Sequence, residues 1–377
     1  MIIILIILQL SKLEVIFRIG SVTKGVHQGA PLSMLLSTIY NNDLLDGIKS
    51  LGCGATIGPV GVSCPAFADD VCLVATHNIS LQRMLDYAFN HSLEWKYQFN
   101  PKKSHVVIIN SKSMEFNFSL GNNKLAIVES AVHLGIPLSD NPALVKKHYE
   151  DRIGRGRRSV YATHGLGSLT IPVPPSVSSK IYWSVSVPQM LYGIEVVPLN
   201  RSLSEVFEKN HIKIAKTIQG LPQQTPNLMP LATLGWSTME SVLDIMKLIF
   251  LWHLLILPMN NVYKRLCVYI LTSTNFKPYY GPLGDLIRIV NKYDLTNIVV
   301  HSLTLGEYSS RKWKRIVKLA VFNSEKYRWM ASIHLYKSLK HVACSLNYGQ
   351  VWPWWNYVGP TQLPTKEEGL PDFIEIV

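Results

Sequence analysis

The chain has 377 residues, 47% hydrophobic and 16% charged, with a net charge of +12. That composition excludes a disordered chain, a collagen-like repeat and a disulfide-dense secreted scaffold, and the length allows about two or three domains. The positive charge makes a polyanion a natural partner, and it is unevenly placed: residues 1–140 are neutral, 141–160 carry +4, 161–300 carry +4, 301–340 carry +7, and the tail from 341 carries −3.

Residues 1–8 form an uninterrupted apolar run. It is far short of the roughly 20 residues a spanning helix needs, and it lacks the leading basic residue and small-residue cleavage site of a signal peptide. A buried strand or an artificially started chain is expected there, and no membrane partner. Residues 12–26, rich in β-branched and aromatic positions and broken by Gly20 and Gly25, read as a strand pair. From Pro31 to Ile48, Leu32, Leu35, Leu36, Ile39, Tyr40, Leu44 and Ile48 recur at spacings of three and four, which predicts an amphipathic helix entered through Gln28-Gly29-Ala30-Pro31.

The short apolar runs 63–67 and 71–75 bracket Ala68, Asp69 and Asp70, predicting a β-hairpin with both aspartates at its tip. A helix is predicted over 80–97, a break at Asn100-Pro101, a strand over 106–109, and further strand-like runs at 114–120 and 132–138. Beyond about residue 140 the pattern turns helical. Ser202 to Glu205 and Ser237 to Glu240 read as capping boxes opening helices that stop near Gly220 and Pro258. Residues 248–257 read as a buried helix, 171–175 and 223–230 as connections, and the tail from Trp352 as loosely held. The five cysteines include no C-x-x-C pair; buried free thiols in a reducing compartment, nuclear or cytoplasmic, are expected.

Two adjacent carboxylates at a hairpin suit a hard divalent cation, although by themselves they read equally as solvated turn residues. The order of their neighbours is more specific. Residues 25–33 (GVHQGAPLS), 67–70 (FADD), 100–104 (NPKKS) and 133–138 (HLGIPL) resemble, in order and at compatible spacing, the palm motifs B, C, D and E of reverse transcriptases from non-LTR retrotransposons. The resemblance is sharp over residues 12–140 and diffuse over 141–345. It departs from the family pattern at His27, usually Arg, and at Met34, usually Pro.

The resemblance implies an α+β fold: a partial palm over 1–140, an antiparallel sheet with packed helices, then a helical thumb over 141–222 and a basic helical region over 223–377. It implies nucleotidyl transfer with two Mg2+ ions, with RNA template, DNA primer and deoxynucleoside triphosphate as partners. Asp69 would ligate metal with Asp70 as its partner, and Phe67 would pack beneath the hairpin. Gln28, Gly29, Phe67 and Ala68 would line the template and nucleotide side. Lys103 would stabilise departing pyrophosphate, or stand as an ordinary surface lysine. Leu134 and Gly135 would lie in a hairpin gripping the primer end, the alternative being one strand with a Gly bulge. Lys146, Lys147, Arg152, Arg155, Arg157 and Arg158 would contact phosphates. Arg311, Lys312, Lys314, Arg315 and Lys318 form a second basic patch around Trp313, which could stack on a base or sit in the core.

The family's palm also takes a third carboxylate, motif A, from a strand before motif B. Only Glu14 precedes Asp43 among the acids, and its surroundings do not match. With motif B opening at residue 25, motif A and the fingers are expected to be absent. The expectation is therefore a truncated, inactive reverse transcriptase fragment. A noncatalytic nucleic-acid-binding protein and a nonfunctional retroelement remnant are the alternatives; the oligomeric state is not indicated.

Overall fold

The computed structural model describes residues 3–9, 31–110, 116–167, 173–273, 281–304, 308–333 and 348–351. The strand pair expected over 12–26, Gln28, Gly29, Cys344 and the tail from Trp352 lie outside the described residues. The chain divides into two compact units, Met1–Val145 and Lys146–Val377.

The first unit mixes strands and helices. In chain order it carries β1 (Ile3–Gln9), α1 (Pro31–Ser50), β2 (Ala55–Ile57), β3 (Val60–Val62), β4 (Ala66–Phe67), β5 (Asp70–Ala75), α2 (Asn78–Glu94), β6 (His105–Ile109), β7 (Ser119–Leu120), β8 (Asn123–Lys124), β9 (Ala126–Val128), β10 (Ser130–His133) and β11 (Ile136–Ser139). Five strands form the main sheet in the order β4, β5, β1, β6, β9, antiparallel except for the β6–β9 pair. The apolar run that opens the chain is thus the central strand, hydrogen-bonded on both sides. An apolar strand without alternation is what a position buried on both faces requires.

Register follows from burial. Ile6 pairs with Leu73 and Val106, and Leu8 with Val71; all five are fully buried, in one core with Leu44 and Ile48 of α1 and Leu81, Met84, Leu85 and Ala88 of α2. Sliding β1 by one residue would turn that apolar set to the other face. On the other face Val107 packs with Ala131, Val128 and Leu138, so the β10–β11 hairpin covers the sheet opposite the helices.

Two elements differ from the periodicity. The expected apolar face of α1 is buried only in its second half: Leu32 and Ile39 are 64% and 62% exposed. The run 132–138 is not one strand, because Leu134 and Gly135 both take positive φ, 50° and 77°, and His133 pairs with Ile136 across them. That is a two-residue turn between β10 and β11, the backbone that type I′ hairpins demand. The predicted strand over 114–120 reduces to β7, with 111–115 outside the described residues.

The second unit is helical in its described residues: α3 (Pro142–Gly167), α4 (Pro175–Ile181), a π-turn segment (Tyr182–Ser186), α5 (Val187–Leu191), a short 3-10 turn (Ile194–Val196), α6 (Arg201–Ile218), α7 (Leu228–Leu234), α8 (Met239–Leu255), α9 (Val262–Ser273), α10 (Pro282–Lys292), α11 (Thr296–Thr304) and α12 (Ser310–Ile333). The caps sit beside the predicted boxes. Asn200, not Ser202, caps α6 by accepting from the Leu203 amide at 2.8 Å, and Thr238 caps α8 through the Ser241 amide at 3.3 Å. Both have extended backbone, as an N-cap needs, whereas Ser202 is already helical. Leu248, Leu251 and Leu255 of α8 pack with Ile287 and Val290 of α10 and with Trp313, Val317 and Val321 of α12. Among the described residues no helix is long and apolar enough to cross a membrane, and Cys53, Cys64, Cys72 and Cys267 are buried free thiols.

Candidate active site and nucleic-acid faces

The predicted aspartate hairpin exists, one residue tighter than expected. Phe67 pairs with Asp70, so the turn is Ala68-Asp69 and Asp70 already belongs to β5. Ala68 adopts φ 54°, a left-handed conformation unfavourable for a residue with a Cβ. Asn41 of α1, 3% exposed, holds it by donating its side-chain amide to the Ala68 carbonyl at 3.1 Å. Asn41 was not legible as a site residue: one of two adjacent asparagines in a helical pattern carries no sign of a partner 27 residues away. Phe67 corrects an expectation. It is 53% exposed and does not pack beneath the hairpin, because β4 is a two-residue edge strand, exposed at both residues.

Strand order brings other expected residues to the same end of the sheet. Asp70 opens β5, Gln9 closes β1 on the same rung, and His105 opens β6 opposite Ile7. Lys103 is exposed in the turn that leads into β6, its backbone N–H donating to the Asn100 carbonyl at 3.1 Å. Leu134 and Gly135 form the tip of the β10–β11 hairpin. Beside them, burial holds the His133 imidazole below its usual pKa, and the nearby Asp70 carboxylate partly offsets that. His133 Nδ1 is buried without a hydrogen-bond partner. His133 therefore sits within electrostatic reach of Asp70.

Mg2+ takes charged oxygen donors in a near-octahedral shell. The hairpin supplies two carboxylates, the residue on Asp70's rung is the neutral Gln9, and among the described residues no group of three or more His, Cys, Asp or Glu converges as a metal site. This donor set does not fit a pair of divalent ions.

The basic residues of the second unit sort by their partners. On α3 the buried stripe is Tyr149, Ile153, Gly156 and Val160, and Lys147, Arg155 and Arg158 are exposed. Arg152 is not part of that free face: it donates to the Tyr192 carbonyl at 2.6 Å and lies over the Tyr149 and Tyr192 rings. Lys146 donates to Ser202 at 3.0 Å and pairs with Glu150; Arg157 is half-buried. On α12, Arg311, Lys312, Lys314, Arg315 and Lys318 are all exposed, with no acid among them. Trp313 between them is 1% exposed and donates from Nε1 to the Leu248 carbonyl at 2.9 Å, so it is core and unavailable for stacking.

Residues 16–136 match the family model of reverse transcriptase (RNA-dependent DNA polymerase). This segment of the chain is reverse transcriptase-like; it contains the Asp69–Asp70 hairpin, α1, α2 and Lys103, begins after β1 and ends at Ile136, the first residue of β11. Among curated proteins the chain is similar to a transposon-derived protein of Caenorhabditis elegans, 23% identical over 160 residues, which are 41% of this chain and 56% of that relative. The chain thus spans little more than half the length of the relative it matches. The matched family uses divalent metal ions and acts on a nucleic-acid template with deoxynucleoside triphosphates.

Proposed function

We propose that the chain is a retroelement-derived polymerase remnant of the non-LTR type, with a palm over residues 1–140, a thumb-like region over 141–222 and a basic helical region over 223–377. In this reading it binds a hybrid of RNA template and DNA primer without extending it. The Asp69–Asp70 hairpin, Lys103 and the Leu134–Gly135 turn keep the polymerase arrangement. The metal pair is lost, and with it the reaction, because two-metal transfer needs both ions positioned at the attacking and leaving oxygens.

The observation that carries binding is the outer face of α12, where Arg311, Lys312, Lys314, Arg315 and Lys318 place five exposed cations within eight residues and no acid. Such a face suits a row of phosphates. Lys147, Arg155 and Arg158 on α3 are a lesser contribution, because the exposed Asp151 lies among them on the same helix.

Fluorescence anisotropy of a labelled RNA–DNA hybrid tests the reading. The wild-type chain is expected to bind with an affinity that falls steeply with salt. The triple variant Lys314→Glu, Arg315→Glu, Lys318→Glu is expected to bind more weakly, with a salt slope smaller by about 1 for each phosphate that is no longer neutralised. Asp69→Asn should leave binding unchanged. Binding that ignores salt, or that survives the triple charge reversal intact, would sink the proposal.

A further inference from the structure

We infer that β1 is the third strand of the Asp69–Asp70 site and that Gln9 stands at the position from which a carboxylate would complete a divalent-cation site. The polymerase-type palm is then silenced by one neutral residue on a strand that is present, and not by loss of the strand. The inference rests on the palm reading above.

Register fixes the placement. β1 lies between β5 and β6 at the centre of the sheet, and its ladder with β5 runs from Ile4↔Ala75 to Gln9↔Asp70. That ladder is pinned by Ile6 and Leu8, both 0% exposed, against Leu73 and Val71, also 0%. A one-residue slip would empty the core of two aliphatic side chains, so the Gln9↔Asp70 rung is not free to drift. Residues directly opposite in an antiparallel pair have Cβ atoms about 4.5–5.5 Å apart. Two carboxylates at that spacing can share one cation, whose oxygen ligands sit at about 2.0–2.1 Å for Mg2+.

Chemistry separates Gln from the acid it differs from by so little. A glutamine amide offers a neutral carbonyl oxygen and two N–H donors. It adds no negative charge to offset the stripping of water from Mg2+, and it can satisfy itself by donating to a carboxylate. Residue 9 also lies outside the segment that matches the reverse transcriptase family, which starts at residue 16, so the assignment comes from strand pairing alone.

The test is Mn2+ binding, read by electron paramagnetic resonance on the full chain, for wild type, Gln9→Asp, Gln9→Glu, and Gln9→Asp with Asp70→Asn. At least one of the two acids at position 9 is expected to tighten Mn2+ binding by about tenfold or more, through added ligand charge. Adding Asp70→Asn should abolish the gain. No gain from either acid in chains that melt as the wild type does would overturn the inference, as would a gain that survives Asp70→Asn. The rung is read separately: Gln9→Cys combined with Asp70→Cys should cross-link with a short bis-methanethiosulfonate, each cysteine thiolate displacing methanesulfinate, and failure to do so in a folded chain overturns the strand placement even where neither acid is tolerated. Hybrid binding keeps the two proposals apart. Failed hybrid binding with a position-9 metal gain sinks the binding reading alone, and intact hybrid binding without that gain sinks this one alone.

Discussion

Replacing Asp285 by Asn should destabilise the second unit by about 3–5 kcal/mol, the cost of leaving a buried charge without its partner. Lys247 of α8 is fully buried. Its ammonium donates to the Val197 carbonyl at 2.7 Å and to Asp285 at 3.2 Å. Asp285, 14% exposed at its side chain, also accepts from the Leu199 amide at 2.6 Å. One carboxylate thus ties α10 to α8 and to the loop before α6. Asn can keep the Leu199 bond, so the loss reads mainly the charge. Burial already holds the Lys247 pKa below its usual value, with Asp285 working against that shift.

The sign of the pH dependence follows. Without Asp285 the folded-state pKa of Lys247 falls further, and the unfolded chain binds the extra proton up to the ordinary lysine range. The stability deficit of Asp285→Asn should therefore shrink as pH rises from 7 toward 10. Urea melts at several pH values check this. The double variant Lys247→Met, Asp285→Leu should lie much closer to wild type than either single change, because replacing both ions by apolar groups is often near neutral.

Acid should weaken the same unit through His211. Its ring is fully buried, stacked on Trp236 with centroids 4.9 Å apart. Nδ1 lies 2.8 Å from the Tyr182 hydroxyl and Nε2 lies 3.0 Å from the Ser237 carbonyl. Nε2–H therefore donates to Ser237, and Nδ1 accepts from Tyr182. Burial pushes the pKa down to about 4, against a small opposing effect from the Ser237 bond. A histidine with a depressed folded pKa is neutral in the native chain while the unfolded chain takes up a proton. Stability is then lost as pH falls from about 6.5 to 4, by about 3 kcal/mol at most.

Glu208 works in the opposite direction, because burial raises its pKa against the Met239 and Glu240 amide bonds; between its unfolded and folded values the folded chain binds more of that proton, so its contribution grows as pH falls. A comparison with His211→Gln removes the histidine's contribution. The variant should be less stable at pH 7 and show a flatter profile between pH 4 and 6.5. An unchanged slope would mean that His211 is not the group that titrates.

Much of this architecture can be read in the chain, and the failures have definite physical causes. The periodicity of 31–48 and 80–97 gives α1 and α2, since spacings of three and four leave no alternative element. Periodicity does not say what covers a helix face, and the first half of α1 is exposed where the pattern implies a core. Residues 1–8 read as a strand, but an unbroken apolar run carries no record of its partners, so its central place between β5 and β6 is invisible until register is known. The hairpin at Leu134-Gly135, which the family resemblance implies, is masked to periodicity because Leu rarely adopts the positive φ that a type I′ turn asks of both central residues. Charge patterning cannot separate Arg152, spent on Tyr192, from Arg155 and Arg158, which face solvent. It also cannot tell that Trp313 belongs to the core while the cations around it do not.

On the proposed reading the chain binds a template–primer hybrid and does not extend it. Single-turnover primer extension tests this most directly, using wild-type chain, an RNA template, a labelled DNA primer, deoxynucleoside triphosphates and Mg2+, at a protein concentration that saturates the hybrid by anisotropy. The expected result is a bound primer that is not lengthened by a single nucleotide. A primer extended by the wild-type chain and left untouched by Asp69→Asn would contradict it.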